Sequence, residues 1–197
     1  MPMRVAVCVS GRGSNLEALL RSLGPDDRAR IALVISNRAE AGGLEIARRH
    51  GVTTAVLGNA ATGDEWLQVL DANAVEFIVL AGFLRKVPAE VTARFQDRMI
   101  NIHPALLPDH GGPGMYGLNV HRAVIARGDR ETGATVHGVT ERYDEGPVLG
   151  QARVPVLPDD TPESLAARVL AVEHRLLPAA VRAAARTGRA VPFTLND

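Results

Sequence analysis

The sequence predicts an α/β fold with a mostly parallel central sheet flanked by helices. Short β-branched runs alternate with segments of helical period. The first run is continuously apolar, as a strand covered on both faces must be, and glycine and proline punctuate the chain without a repeat or a linker. At 197 residues the chain is long enough to bury most of its apolar surface, and 1–197 is expected to be one domain.

Arg4 to Ser10 is the first strand, and Gly11-Arg12-Gly13 follows as a tight turn. Ser14-Asn15-Leu16-Glu17 has the S-x-x-E form of a capping box and opens a helix that Gly24-Pro25 stops. Ile31 to Ile35 is a strand, Ala41 to His50 a helix, and Thr53 to Leu57 a strand. Asp64 to Asn73 is a helix with Trp66, Leu67 and Leu70 as its inward stripe. Phe77 to Ala81 is a buried strand, and Pro88 opens a helix through Phe95. Met99 to His103 is a strand ended by Pro104, and Val120 to Arg127 a short helix. Gly133 to Thr140 and Val148 to Val156 are strands joined by an acidic turn. Thr161-Pro162 caps a last helix with Leu165, Val169, Val172 and Leu176 inside, which Pro178 should kink or break.

Twenty-two basic and twenty-two acidic residues cancel, so no global field attracts nucleic acid or an anionic membrane. No stretch has the form of a signal peptide or approaches the ~20 apolar residues of a membrane span, and a cytoplasmic protein is expected. A single cysteine, Cys8, excludes an internal disulfide or thiolate cluster and suits core packing.

Chemistry concentrates in a few stretches. A strand's period of two puts Asn101 and His103 on one face, where an amide and an imidazole can polarise a carbonyl and shuttle its protons, or can simply satisfy turn backbone. The helix start at Gly13-Ser14-Asn15 presents N–H groups and a positive dipole end, with Arg12 able to add charge. Without a Walker Gly-Lys-Ser/Thr, a third fingerprint glycine or an acidic ribose partner, a single phosphate suits it better than a dinucleotide. Gly82 to Pro88 mixes apolar and cationic groups and suits a flat ligand with an acidic tail, or is a solvated loop. Asp144 and Glu145 are turn formers, or one of them lies beside His103 and raises its pKa, holding it cationic. The glycine-rich Asp109 to Gly117 segment is long enough for a lid. His103, His110 and His121 lack a recognised ligand spacing, and no metal is expected. Periodicity puts Glu173 and His174 at the rim of the last helix's inner face.

Four motifs resemble the phosphoribosylglycinamide formyltransferases, also called glycinamide ribonucleotide transformylases: Gly11-Arg12-Gly13-Ser14-Asn15, Ala81-Gly82-Phe83-Leu84-Arg85, Asn101-Ile102-His103-Pro104-Ala105-Leu106-Leu107-Pro108 and Asp144-Glu145-Gly146-Pro147-Val148. The resemblance spans nearly the whole chain. It implies a Rossmann-like formyltransferase fold and formyl transfer from 10-formyltetrahydrofolate, as cosubstrate, to the amine of 5'-phosphoribosylglycinamide in de novo purine (IMP) biosynthesis. By the same resemblance Asn101, His103 and Asp144 are the catalytic set, and Gly13, Ser14 and Asn15 hold the phosphate while Glu173 approaches the amine. Leu84, Arg85, Lys86, Val87, Thr140, Glu141, Arg142 and Tyr143 line the folate cleft. The partners implied are these small molecules, neither nucleic acid nor membrane, with the chain a monomer or homodimer. A formyltetrahydrofolate hydrolase would carry a further N-terminal domain and methionyl-tRNA formyltransferase a further C-terminal one; the non-enzymatic alternative is a nucleotide-binding module. The chain departs from the family pattern at Thr62-Gly63-Asp64-Glu65, where an arginine is common, and in the length of Asp109 to Gly117.

Overall fold

The computed structural model describes residues 1–195. The strands are β1 (Met3–Val9), β2 (Ala29–Ser36), β3 (Thr53–Val56), β4 (Phe77–Leu80), β5 (Met99–His103), β6 (Glu131–Gly138) and β7 (Val148–Pro155). They form one sheet in the order β3-β2-β1-β4-β5-β6-β7. The first five strands pair in parallel, and β6 and β7 are added antiparallel. The mostly parallel sheet flanked by helices is therefore observed.

The helices are α1 (Ser14–Ser22), α2 (Gly42–Arg49), α3 (Gly63–Ala72), α4 (Ala89–Arg94), α5 (Leu118–Arg127) and α6 (Pro162–Thr187). Val5, Val7 and Val9 of β1 pack in one core with apolar residues of α1, α2, α5 and α6. Ala6 and Cys8 face the other way, into a core with Trp66 and Leu70 of α3 and Val91 of α4. Burial on both faces is why β1 reads as unbroken apolar sequence, and each large side chain so buried contributes roughly 1.5–3 kcal/mol. Cys8 is fully buried, and burial pushes its thiol up, away from the reactive thiolate.

β1 and β4 are neighbours, yet the chain leaves β1 toward β2 and leaves β4 toward β5 on the other side. The loops after them diverge and open a crevice at the carboxyl edge of the sheet.

Two local expectations are corrected. The Ser14–Glu17 capping box does not form: Gly13 is the cap residue in a left-handed conformation, with no side-chain cap, and its carbonyl accepts the Glu17 N–H at 2.9 Å. Glu17 pairs instead with Arg21 one turn on. A true capping box starts α6, where Thr161 and Ser164 each accept the other's backbone N–H. Pro178 does not break that helix. The missing hydrogen bond and ring clash cost ~3 kcal/mol, and the buried Leu176, Leu177, Ala180 and Val181 around it offset that cost.

Candidate active site

Alternation along β5 sends Ile100 and Ile102 into the core and Asn101 and His103 to the other face. β6 runs antiparallel beside it, with His137 opposite Asn101 and Thr135 opposite His103. Directly opposed residues share a face, so four polar side chains meet where β5 ends. Thr135 pins the turn after β5: its hydroxyl donates to the Ala105 carbonyl (2.6 Å) and accepts the Leu107 N–H (3.0 Å). His137 donates from Nδ1 to the Gly138 carbonyl (2.8 Å) and brings Nε2 to 3.0 Å from Asn101 Nδ2 and 3.4 Å from Asp144 Oδ1. Nε2 accepts from the amide when the ring is neutral and serves the carboxylate when it is protonated.

His103 is 3 % exposed. Its Nε2 lies 2.8 Å from the His110 carbonyl, and a carbonyl only accepts, so Nε2 carries a proton. The other nitrogen, Nδ1, is 3.6 Å from Asp144 Oδ2. The expected cationic His103 is corrected here: burial pushes the imidazole below its ordinary 6.5, and Asp144 and the His110 carbonyl raise it without overcoming that cost. At neutral pH the ring is uncharged, with the Nδ1 lone pair available. Burial also raises Asp144, but His137, His103 and the Gly112 N–H (2.9 Å) outweigh it and hold the carboxylate ionised.

The uncapped start of α1 lines the same cavity as this cluster, through Gly13, Ser14 and Asn15. Glu173 corrects the expected rim position: it is buried, and its Oε2 accepts from Asn15 Nδ2 at 2.6 Å. Burial pushes its pKa from 4.5 up to about 7 despite that bond. Above the unfolded value the unfolded chain sheds this proton first, so folding stability falls as pH rises from about 4.5 to about 7. Glu173→Gln is expected to flatten that slope, read from urea unfolding at pH 5 and pH 8. An equal gain at both pH values would contradict the burial of a titrating carboxyl.

Leu84, Arg85, Lys86 and Val87 after β4, and Thr140, Glu141, Arg142 and Tyr143 after β6, line the same cavity of about 910 Å³. Val87 is buried, while Arg85, Lys86 and Arg142 are exposed at its mouth. All fifteen candidate positions thus border one space. Among the described residues no three His, Cys, Asp or Glu side chains are grouped to hold a metal, and no helix is long and apolar enough to cross a membrane.

A sequence profile named Formyl transferase matches residues 3–181. The chain belongs to the formyl transferase family. It is 37% identical over 183 residues to phosphoribosylglycinamide formyltransferase of Escherichia coli (strain K12), covering 89% of this chain and 84% of that protein. The chloroplastic phosphoribosylglycinamide formyltransferase of Arabidopsis thaliana is 41% identical over 181 residues; the match covers 88% of this chain but only 62% of the plant protein's length. The crystal structure of phosphoribosylglycinamide formyltransferase from Anaplasma phagocytophilum superimposes with a TM-score of 0.86 at 40% identity, covering 94% of this chain and 88% of that one.

In this chain the start of α3, where the common arginine is missing, lies outside the residues that line the cavity. Glu65 there accepts the Gly58 and Asn59 N–H groups (2.8 and 2.9 Å), closing its own loop. His137 and Thr135 escaped the sequence reading. Their signal was present: two polar residues at period two in the apolar run from 133 to 140, matching Asn101 and His103 in β5.

Proposed function

We propose that the chain transfers the formyl group of 10-formyltetrahydrofolate to the amine of 5'-phosphoribosylglycinamide, a step of de novo purine (IMP) synthesis. The observation that carries this is the Asn101–His103–Asp144 cluster sharing one cavity with the uncapped start of α1. Free N–H groups at Gly13, Ser14 and Asn15 suit a phosphate. Glu173, poised near neutrality, can take a proton from the substrate's ammonium and leave a nucleophilic amine. A flat pterin fits between Leu84–Val87 and Thr140–Tyr143, and Arg85, Lys86 and Arg142 suit its acidic tail.

In the proposed reaction the amine nitrogen bonds to the formyl carbon, and the carbonyl electron pair moves onto oxygen. The second N–H of the Asn101 amide stabilises that oxyanion. His103 Nδ1 takes the proton that the amine loses, and Asp144 at 3.6 Å stabilises the imidazolium. When the carbon–N10 bond breaks, the same proton goes to N10, and tetrahydrofolate leaves with the ring neutral again.

The test is formyl-folate consumption with and without the ribonucleotide. Consumption is expected only when both are present, with one formylated product per folate. Consumption without the ribonucleotide would mark a hydrolase, and ribonucleotide binding without any consumption would mark a binding module.

A further inference from the structure

We infer that the glycine-rich loop from Asp109 to Gly117 positions His103 and Asp144, and that the His110–Asp129 contact is the latch that holds it. The inference deepens the proposed function and rests on its assignment of the proton transfer to His103 Nδ1.

The loop touches both members of the pair through its backbone. The His110 carbonyl accepts from His103 Nε2 (2.8 Å), and the Gly112 N–H donates to Asp144 Oδ2 (2.9 Å). One loop therefore sets which imidazole nitrogen faces Asp144 and which way the carboxylate points. Its composition works against this role, because Gly112, Gly114 and Gly117 all adopt positive φ and ordering glycine is entropically costly. His110 itself has φ +53°, uncommon for a residue with a side chain. Something must hold the loop in place.

The His110 ring supplies that hold. Its Nε2 lies 2.6 Å from Asp129 Oδ2, just past the end of α5. Asp129 Oδ1 accepts from Arg127 Nε (2.7 Å), and Arg127 Nη2 reaches back to Asp109 Oδ2 (2.8 Å). The ring closes residues 109–110 onto 127–129. Exposure decides which bond matters: the Arg127 side chain is 51% exposed, and such pairs are worth little. The His110 and Asp129 side chains are 9% and 16% exposed, so their contact is sheltered from water. His110 and Asp129 are not among the residues that line the cavity, and act only through the loop backbone.

The experiment compares His110→Ala, His110→Gln and Asp129→Asn with the wild-type chain. It reads steady-state kinetics for both substrates and the ¹⁵N signals of His103, assigned by their loss in His103→Gln. His110→Ala is expected to lower kcat about tenfold, with KM for each substrate within about twofold. The His103 signals should change from one tautomer protonated at Nε2 to a mixture. His110→Gln, whose amide N–H can reach Asp129, should restore most of kcat and the wild-type signals. An unchanged His103 pattern in folded His110→Ala, or a loss confined to KM, would overturn the inference. Should His110→Ala not fold, the same readouts on Asp129→Asn decide. If the wild type transfers no formyl group, a changed His103 pattern still upholds the latch, and only the reaction assignment fails.

Discussion

Turnover of His103→Ala is expected to fall by about 10²-fold or more with the fold retained, and Asn101→Ala to behave alike. The two side chains share one face of β5 at the cavity, and neither belongs to the two apolar cores. The pH dependence follows from the titration of Glu173 and the neutral resting state of His103. Activity should fall as pH drops below about 7, where Glu173 takes up its proton, and fall further through the folded pKa of His103, which burial sets below 6.5. The same shift costs stability on the acid side, because below the ordinary value the unfolded chain takes up this proton before the folded one does. Asp144→Asn removes the carboxylate that raises the imidazole, so its NMR titration midpoint should fall further. Near-normal turnover in His103→Ala would refute the assignment, and an unchanged midpoint in Asp144→Asn would refute the coupling.

Gly13→Val is expected to lose stability, on the order of 2–5 kcal/mol from strain at positive φ and overpacking combined. A side chain at Gly13 would place Cβ 2.5 Å from the Gly43 Cα and 3.1 Å from its nitrogen, at a backbone φ of +82°. Gly43 cannot retreat, since a Cβ there would meet Val9 Cγ2 at 2.8 Å and β1 lies directly behind it. Urea unfolding should show the loss, and the ribonucleotide and folate should be lost together as the protein unfolds. From sequence alone the substitution reads as a selective block of phosphate approach. The packing of α2's first turn against the loop makes it a lesion of the fold. A destabilisation below about 1 kcal/mol would show that the two loops can separate.

Local chemistry by itself determined a great deal about this protein. The unbroken apolar run of β1, the period-two pair Asn101 and His103, the Pro104 stop and the glycine turn into α1 are each set by near neighbours, through pleat, ring constraint and backbone freedom. They were enough to anticipate a mostly parallel sheet and to name residues that line one cavity. Tertiary structure decided what depends on distant partners and on exclusion of water. It placed His137 opposite Asn101 across an antiparallel pair, and it buried Glu173 beside Asn15. It also reversed the expected charge of His103. The sequence shows a carboxylate that can approach the imidazole, whereas desolvation, the larger effect here, arises only when β5, β6 and the glycine-rich loop close around the ring.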